Sequence, residues 1–67
     1  MTVGTQVQQA LANARSAQAN FETFSLKTQD EFAKEMYGHA AEELQPIIDG
    51  LEKRLAEIEQ EEPQFLT

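Results

Sequence analysis

The sequence predicts an all-α protein: an antiparallel two-helix hairpin, its second helix kinked at Pro46, that dimerises into a four-helix bundle. Apolar residues recur every three or four positions in both halves, the spacing of helix faces packed on other helices. A helix-start signal near residue 28 indicates a turn between the halves. The chain has 67 residues and no cysteine, and a hairpin of this size buries too little surface to be stable alone. We therefore expect a second copy of the chain to cover the exposed apolar faces of the hairpin.

The first helix is predicted over about residues 3–27, because no glycine or proline occurs between residues 5 and 27. Its predicted seam has small residues in the middle, which permit close helix approach, and bulky ones at its end. The seam residues are Val3, Val7, Ala10, Ala14, Ala17, Phe21, Phe24 and Thr28.

The turn is predicted at about residues 27–30. Thr28 and Glu31 have the spacing of a capping box, in which the threonine caps the second helix, and Asp30 is an alternative cap. Neither glycine nor proline marks this turn, so one continuous helix is the competing interpretation.

The second helix is predicted over about residues 30–61, followed by a short C-terminal tail, so residues 1–67 form one helical-hairpin domain. Pro46 inside a helix costs roughly 3 kcal/mol and usually produces a kink, and Gly38 and Gly50 cost about 1 kcal/mol each. We expect packing rather than helix propensity to hold this helix. Its apolar stripe comprises Ala33, Met36, Tyr37, Ala40, Leu44, Ile47, Ile48, Leu51, Leu55 and Ile58.

The net charge of −7 and the pI of about 4.4 argue against two classes of partner. Nucleic acids and anionic membrane surfaces both require lysine and arginine. The chain also shows neither a signal peptide nor the roughly 20 apolar residues of a membrane span. We therefore expect no nucleic-acid binding, no direct membrane insertion and a cytoplasmic location.

Residues that could carry chemistry are few. We find no nucleophile–histidine–acid triad and no phosphate-binding loop, so we predict a non-enzymatic protein without catalytic residues or a cofactor. His39 is the single histidine. Together with Glu35, Glu42 and Glu22 it gives the alternative hypothesis of a metal-binding, ferritin-like bundle. Glu35 precedes His39 by four residues, one more than in the Glu-x-x-His motif of such bundles, so our main prediction contains no metal site.

Two sets of residues are predicted to bind protein. The first forms the helix–helix interfaces of a homodimer or tetramer, and the second is an acidic and apolar C-terminal segment that would dock a partner. The predicted interface comprises Val7, Ala10, Ala14, Ala17, Phe21, Phe24, Tyr37, Leu44, Ile48, Leu51, Leu55 and Ile58. The predicted docking residues are Glu57, Glu59, Glu61, Glu62, Phe65 and Leu66.

Two long segments of the chain are distinctive: "MTVGTQVQQALANARSAQANFETFSLKTQD" at the start and "LQPIIDGLEKRLAEIEQEEPQF" at the end. Within them, "TVGTQV", "FSLKTQD" and "IEQEEPQF" together resemble domain of unknown function family 1657, small proteins of spore-forming bacteria. The likeness covers nearly the full length. It departs at Phe65, where the family pattern has tyrosine.

The resemblance implies a setting rather than a mechanism. Genes for such proteins often lie beside those for spore-membrane channel proteins, and a similar domain is attached to a spore membrane protein. This implies a role in sporulation, spore resistance or germination, in the forespore or spore, with a partner among spore or spore-membrane proteins. The segment "TQDEFAKEMYGHAAEEL" is also similar to the helix–turn region of ferritin-like bundles. It brings no metal ligands, because the Glu-x-x-His pair is missing.

Overall fold

The computed structural model describes residues 2–61 and contains two α-helices, α1 (Val3–Lys27) and α2 (Glu31–Glu61). The helices pack against each other along their length, so the chain is an all-α helical hairpin, as predicted. Within residues 2–61 there is no strand. The chain turns between the helices and does not continue as a single helix.

The first helix begins at a threonine cap. The Thr5 amide donates a hydrogen bond to Thr2 Oγ1 at 3.1 Å, which satisfies one of the amides that a helix start leaves without an intrahelical partner. At the other end Lys27 places its positive charge near the negative end of the helix dipole. Thr28 then leaves the helix with φ −71° and ψ 145°, while its amide still bonds the Phe24 carbonyl at 3.0 Å.

Asp30 caps the second helix. Its Oδ1 accepts a hydrogen bond from the Phe32 amide at 3.0 Å, and its own amide donates to Thr28 Oγ1 at 3.2 Å. The alternative cap is therefore the one used, and the Thr28 hydroxyl stabilises the turn. No residue of the described chain, glycine included, has a positive φ. The turn therefore needs no glycine.

The second helix continues through Pro46 from Glu31 to Glu61. Proline supplies no backbone N–H, so the helix loses one hydrogen bond at this point. Packing against α1 compensates for it, because the helix has buried residues on both sides of the proline, Ala41 before it and Ile48 after it.

The seam between the helices follows a three–four repeat on both of them. Every residue of this repeat is buried or half-buried. On α1 and its C-cap the seam comprises Gly4, Val7, Leu11, Ala14, Gln18, Phe21, Ser25 and Thr28, and on α2 it comprises Lys34, Tyr37, Ala41, Leu44, Ile48, Leu51, Leu55 and Ile58.

Within residues 2–61 the buried apolar core is small. It consists of Leu11, Ala41, Ile48 and Ile58. At the turn end, the Tyr37 ring lies between the two helices, 6.1 Å from Phe21 and 5.5 Å from Phe24 between centroids. Half of the α1 seam is glycine or polar, so this core alone contributes little burial to a free hairpin.

Candidate interaction surface

An uncovered apolar stripe lies beside the seam on both helices. Each of its residues comes one position before a seam residue, which rotates it by about 100° around the helix axis. We call this set the apolar face: Val3, Ala10, Ala17 and Phe24 on α1, with Ala33, Met36, Ala40 and Ile47 on α2.

The two stripes point to the same side of the hairpin. Two antiparallel neighbouring helices are related by a two-fold axis perpendicular to the plane that contains both helix axes. Rotation about this axis exchanges the helices but keeps the upper side of the plane above it. Residues one position before the seam therefore lie on the same side of the hairpin in both helices. At the turn end the Phe24 ring of the apolar face contacts the Tyr37 ring of the α2 seam, 5.5 Å between centroids.

The large residues of the apolar face are about half exposed. The exposed fraction is 50% for Val3, 46% for Phe24, 51% for Met36 and 53% for Ile47. Single exposed apolar residues are normal, but several on one side of a hairpin indicate a binding surface. Polar residues lie between them on the same side: Gln6, Asn13 and Asn20 on α1 and Glu43 on α2. The apolar face is therefore our candidate site.

The opposite side of the hairpin, which we call the polar face, is closed by polar contacts between the helices. Arg15 Nη2 donates to Glu52 Oε2 at 2.7 Å. Gln18 Nε2 donates to the Ala41 carbonyl and to Gln45 Oε1, each at 3.0 Å. These contacts leave the apolar face as the side of the hairpin without charge pairing between its helices.

The predicted interface residues divide between two environments. Ile48 and Ile58 are buried between the helices of one hairpin, and Val7, Ala14, Phe21, Tyr37, Leu44, Leu51 and Leu55 are seam residues as well. Ala10, Ala17 and Phe24 lie on the apolar face instead. The predicted seam of α1 thus combines seam positions with apolar-face positions. It omits the seam residues Gly4, Leu11, Gln18 and Ser25. Glycine, glutamine and serine give no apolar signal, and the prediction has Ala10 in place of the adjacent Leu11.

The structure separates the four candidate metal ligands. Glu35 and His39 line an open groove of about 420 Å³ on α2, which also contacts the apolar face at Met36. Glu22 and Glu42 line a different groove on the polar face. Among residues 2–61, no three histidine, cysteine or acidic side chains are close enough to hold a metal ion.

The predicted docking segment is described only as far as Glu61. Glu57 Oε1 lies 3.5 Å and Glu61 Oε2 lies 3.9 Å from Arg54 Nη1. Part of the acidic run therefore forms ion pairs along its own helix. Glu59 is exposed. Glu62, Phe65 and Leu66 lie outside the described residues.

One family matches the chain over residues 7–55, and its description is "protein of unknown function (DUF1657)". The chain belongs to this family. The matched segment includes most of both helices and the whole turn, so the family pattern is that of the hairpin. No curated protein and no solved structure matches the chain. Between residues 2 and 61, neither helix is long and apolar enough to cross a membrane.

Proposed function

We propose that this DUF1657 protein is a non-enzymatic interaction protein that self-associates through its apolar face to form a four-helix bundle. The observation that carries the proposal is the set of apolar residues from Val3 to Phe24 and from Ala33 to Ile47, whose large members are about half exposed and which lie on one side of the hairpin. Its occupant is a second copy of the chain.

The dimensions of the hairpin support a second copy. The backbone measures 47 × 18 × 12 Å, so its broad side has a projected area of roughly 850 Å², close to the ~800 Å² that each partner contributes to a standard protein–protein interface. A lone hairpin leaves this side in water. Face-to-face pairing converts it into a bundle core, which is the usual arrangement for amphipathic hairpins.

The residue types also favour protein as the occupant. Four of the eight apolar-face residues are alanine, which allows another helix to approach closely, and none of the eight is charged. Charged side chains occur on the same side of the hairpin, because Glu43, Arg54 and Glu57 also come one position before a seam residue. The apolar residues therefore have charged neighbours, and interfaces between proteins combine both kinds of residue.

The solution mass tests the proposal. Light scattering on purified protein, over a range of concentrations and with and without a chelator, should give at least twice the 7.5 kDa of one chain, unaffected by the chelator. A helical monomer at all concentrations would contradict self-association. An assembly that dissociates with chelator would instead favour the metal-binding bundle.

We also propose a setting in sporulation, spore resistance or germination, with a partner among spore or spore-membrane proteins. This part rests on the family resemblance alone. Its test is the time at which the protein accumulates, together with spore yield and germination after deletion of the gene. Accumulation only in growing cells, with normal spores after deletion, would contradict it.

A further inference from the structure

The contacts between the helices fix which residues lie at the same height along the hairpin. Ser25 Oγ donates to the Lys34 carbonyl at 2.9 Å, and Gln18 Nε2 donates to the Ala41 carbonyl at 3.0 Å. In both pairs the residue numbers add to 59. The same rule places Phe24 at the height of residue 35 and Ala10 at the height of residue 49.

Two hairpins can meet through their apolar faces in two ways. With both turns at the same end, α1 of each copy lies over α2 of its partner at equal height. With the turns at opposite ends, α1 lies over α1 and α2 over α2, each pair antiparallel. Both arrangements are two-fold symmetric, so symmetry does not choose between them.

Side-chain sizes and chemistry favour turns at the same end. In that arrangement Phe24 of one copy lies between Ala33 and Met36 of the other, and Ala10 lies beside Ile47. Large residues thus meet small or flexible ones, which allows the two surfaces to interdigitate.

Contacts with charged residues of α2 do not separate the two arrangements. With turns at the same end, Ala17 lies beside Glu43 of the other copy, and Val3 lies between Arg54 and Glu57. These charged residues are on the side of the apolar face, so both arrangements bring apolar residues near them.

The charge distribution along the two helices favours turns at the same end. Residues 3–27 carry a net charge of +1, and residues 31–61 carry −6. With turns at the same end, the two α2 helices occupy diagonal corners of the bundle, and each has a nearly neutral α1 as its neighbour. With turns at opposite ends the two acidic helices are adjacent, and their repulsion is larger.

We infer that two copies pair through the apolar face with their turns at the same end, α1 of each lying over α2 of the other. This inference rests on the proposed self-association. It adds the orientation of the partner and the residues that meet across the interface.

A distance between spin labels tests the orientation. The chain has no cysteine, so Gln29→Cys in the turn and Ser16→Cys near the middle of α1 each place one nitroxide per chain, both at exposed positions. Ser16 is two positions from the seam residues on either side of it and faces away from α2. Turns at the same end predict a Gln29 label separation of roughly 20 Å, the diagonal of a bundle with neighbouring helices 8–10 Å apart plus the label arms. Turns at opposite ends predict ~45 Å, from about 30 residues at 1.5 Å each.

The Ser16 label is the matched control, because residue 16 lies near half height and both arrangements give a separation below about 35 Å. Short distances at both sites support the inference. A short Ser16 distance with a Gln29 distance beyond about 40 Å overturns the orientation but leaves self-association standing. An absence of dipolar coupling at both sites shows a monomer and overturns both proposals.

Discussion

Replacing Ile47 by alanine should weaken self-association without unfolding the hairpin. Ile47 is 53% exposed in the free hairpin, whereas the adjacent Ile48 is buried between the helices. Complete burial of an isoleucine side chain stabilises by about 1.5–3 kcal/mol, so covering the exposed half contributes about 1 kcal/mol per copy. A dimer contains two such residues, so its free energy of association should weaken by about 2 kcal/mol, which raises the dissociation constant roughly 30-fold.

Sedimentation equilibrium over a range of concentrations measures this change, and circular dichroism reports the helix content. Helicity should not fall, because alanine has a higher helix propensity than isoleucine. The matched control is Leu26→Ala, which removes an apolar side chain that is 83% exposed and lies beside the polar-face groove. Leu26→Ala should leave the dissociation constant unchanged. Equal dissociation constants for the Ile47 variant and the unmodified protein would refute the placement of the interface.

Three further substitutions test the hairpin itself, each by denaturant unfolding at one fixed protein concentration. Asp30→Ala removes the cap on the Phe32 amide and should cost about 1 kcal/mol; no loss would mean that another group caps α2. Gly50→Ala should stabilise by roughly 0.5–1 kcal/mol, because a methyl group there meets no atom within 4 Å, and destabilisation would reveal a close contact at Gly50. Arg15→Ala breaks an ion pair with Glu52 whose side chains are about half exposed, so it should cost less than about 1 kcal/mol, and a larger loss would show a more structural role.

The hairpin and its turn could be predicted because local signals determine them. The three–four repeat indicates two helices, and "KTQDE" contains a C-terminal lysine followed by residues that cap a new helix. The choice between the two caps could not be made from spacing alone. Thr28 still belongs to the end of α1, with its amide bonded to Phe24, so it is too far from the start of α2 to cap it.

The exact seam of α1 was harder to predict, for a physical reason. The apolar arc of α1 is wider than one helix contact, and periodicity does not show which part of a wide arc faces the neighbouring helix. Gln18 and Ser25 occupy the seam because each donates a hydrogen bond to an α2 carbonyl. Such bonds depend on the partner helix and leave no apolar signal, so periodicity predicts Ala17 and Phe24 as seam residues instead.

The candidate metal site shows a similar limit. Spacings of three and four residues both place side chains on one broad helix face, so the spacing predicts one group formed by Glu35, His39 and Glu42. In the structure α1 packs against α2 between the side of Glu35 and His39 and the side of Glu42. Glu42 therefore lines the polar-face groove, away from the groove of Glu35 and His39.

Accessibility of individual methyl groups to a soluble paramagnetic agent tests the central claim most directly. Methyl NMR spectra would be recorded over a range of protein concentrations, with Met36 and Ile47 reporting on the apolar face and Leu26 reporting on the other side. A covered apolar face predicts that the Met36 and Ile47 methyl groups become protected as concentration rises, while those of Leu26 remain accessible. If the paramagnetic agent relaxes the Met36 and Ile47 methyl groups as strongly as those of Leu26 at every concentration, the claim that a second copy covers this face is contradicted.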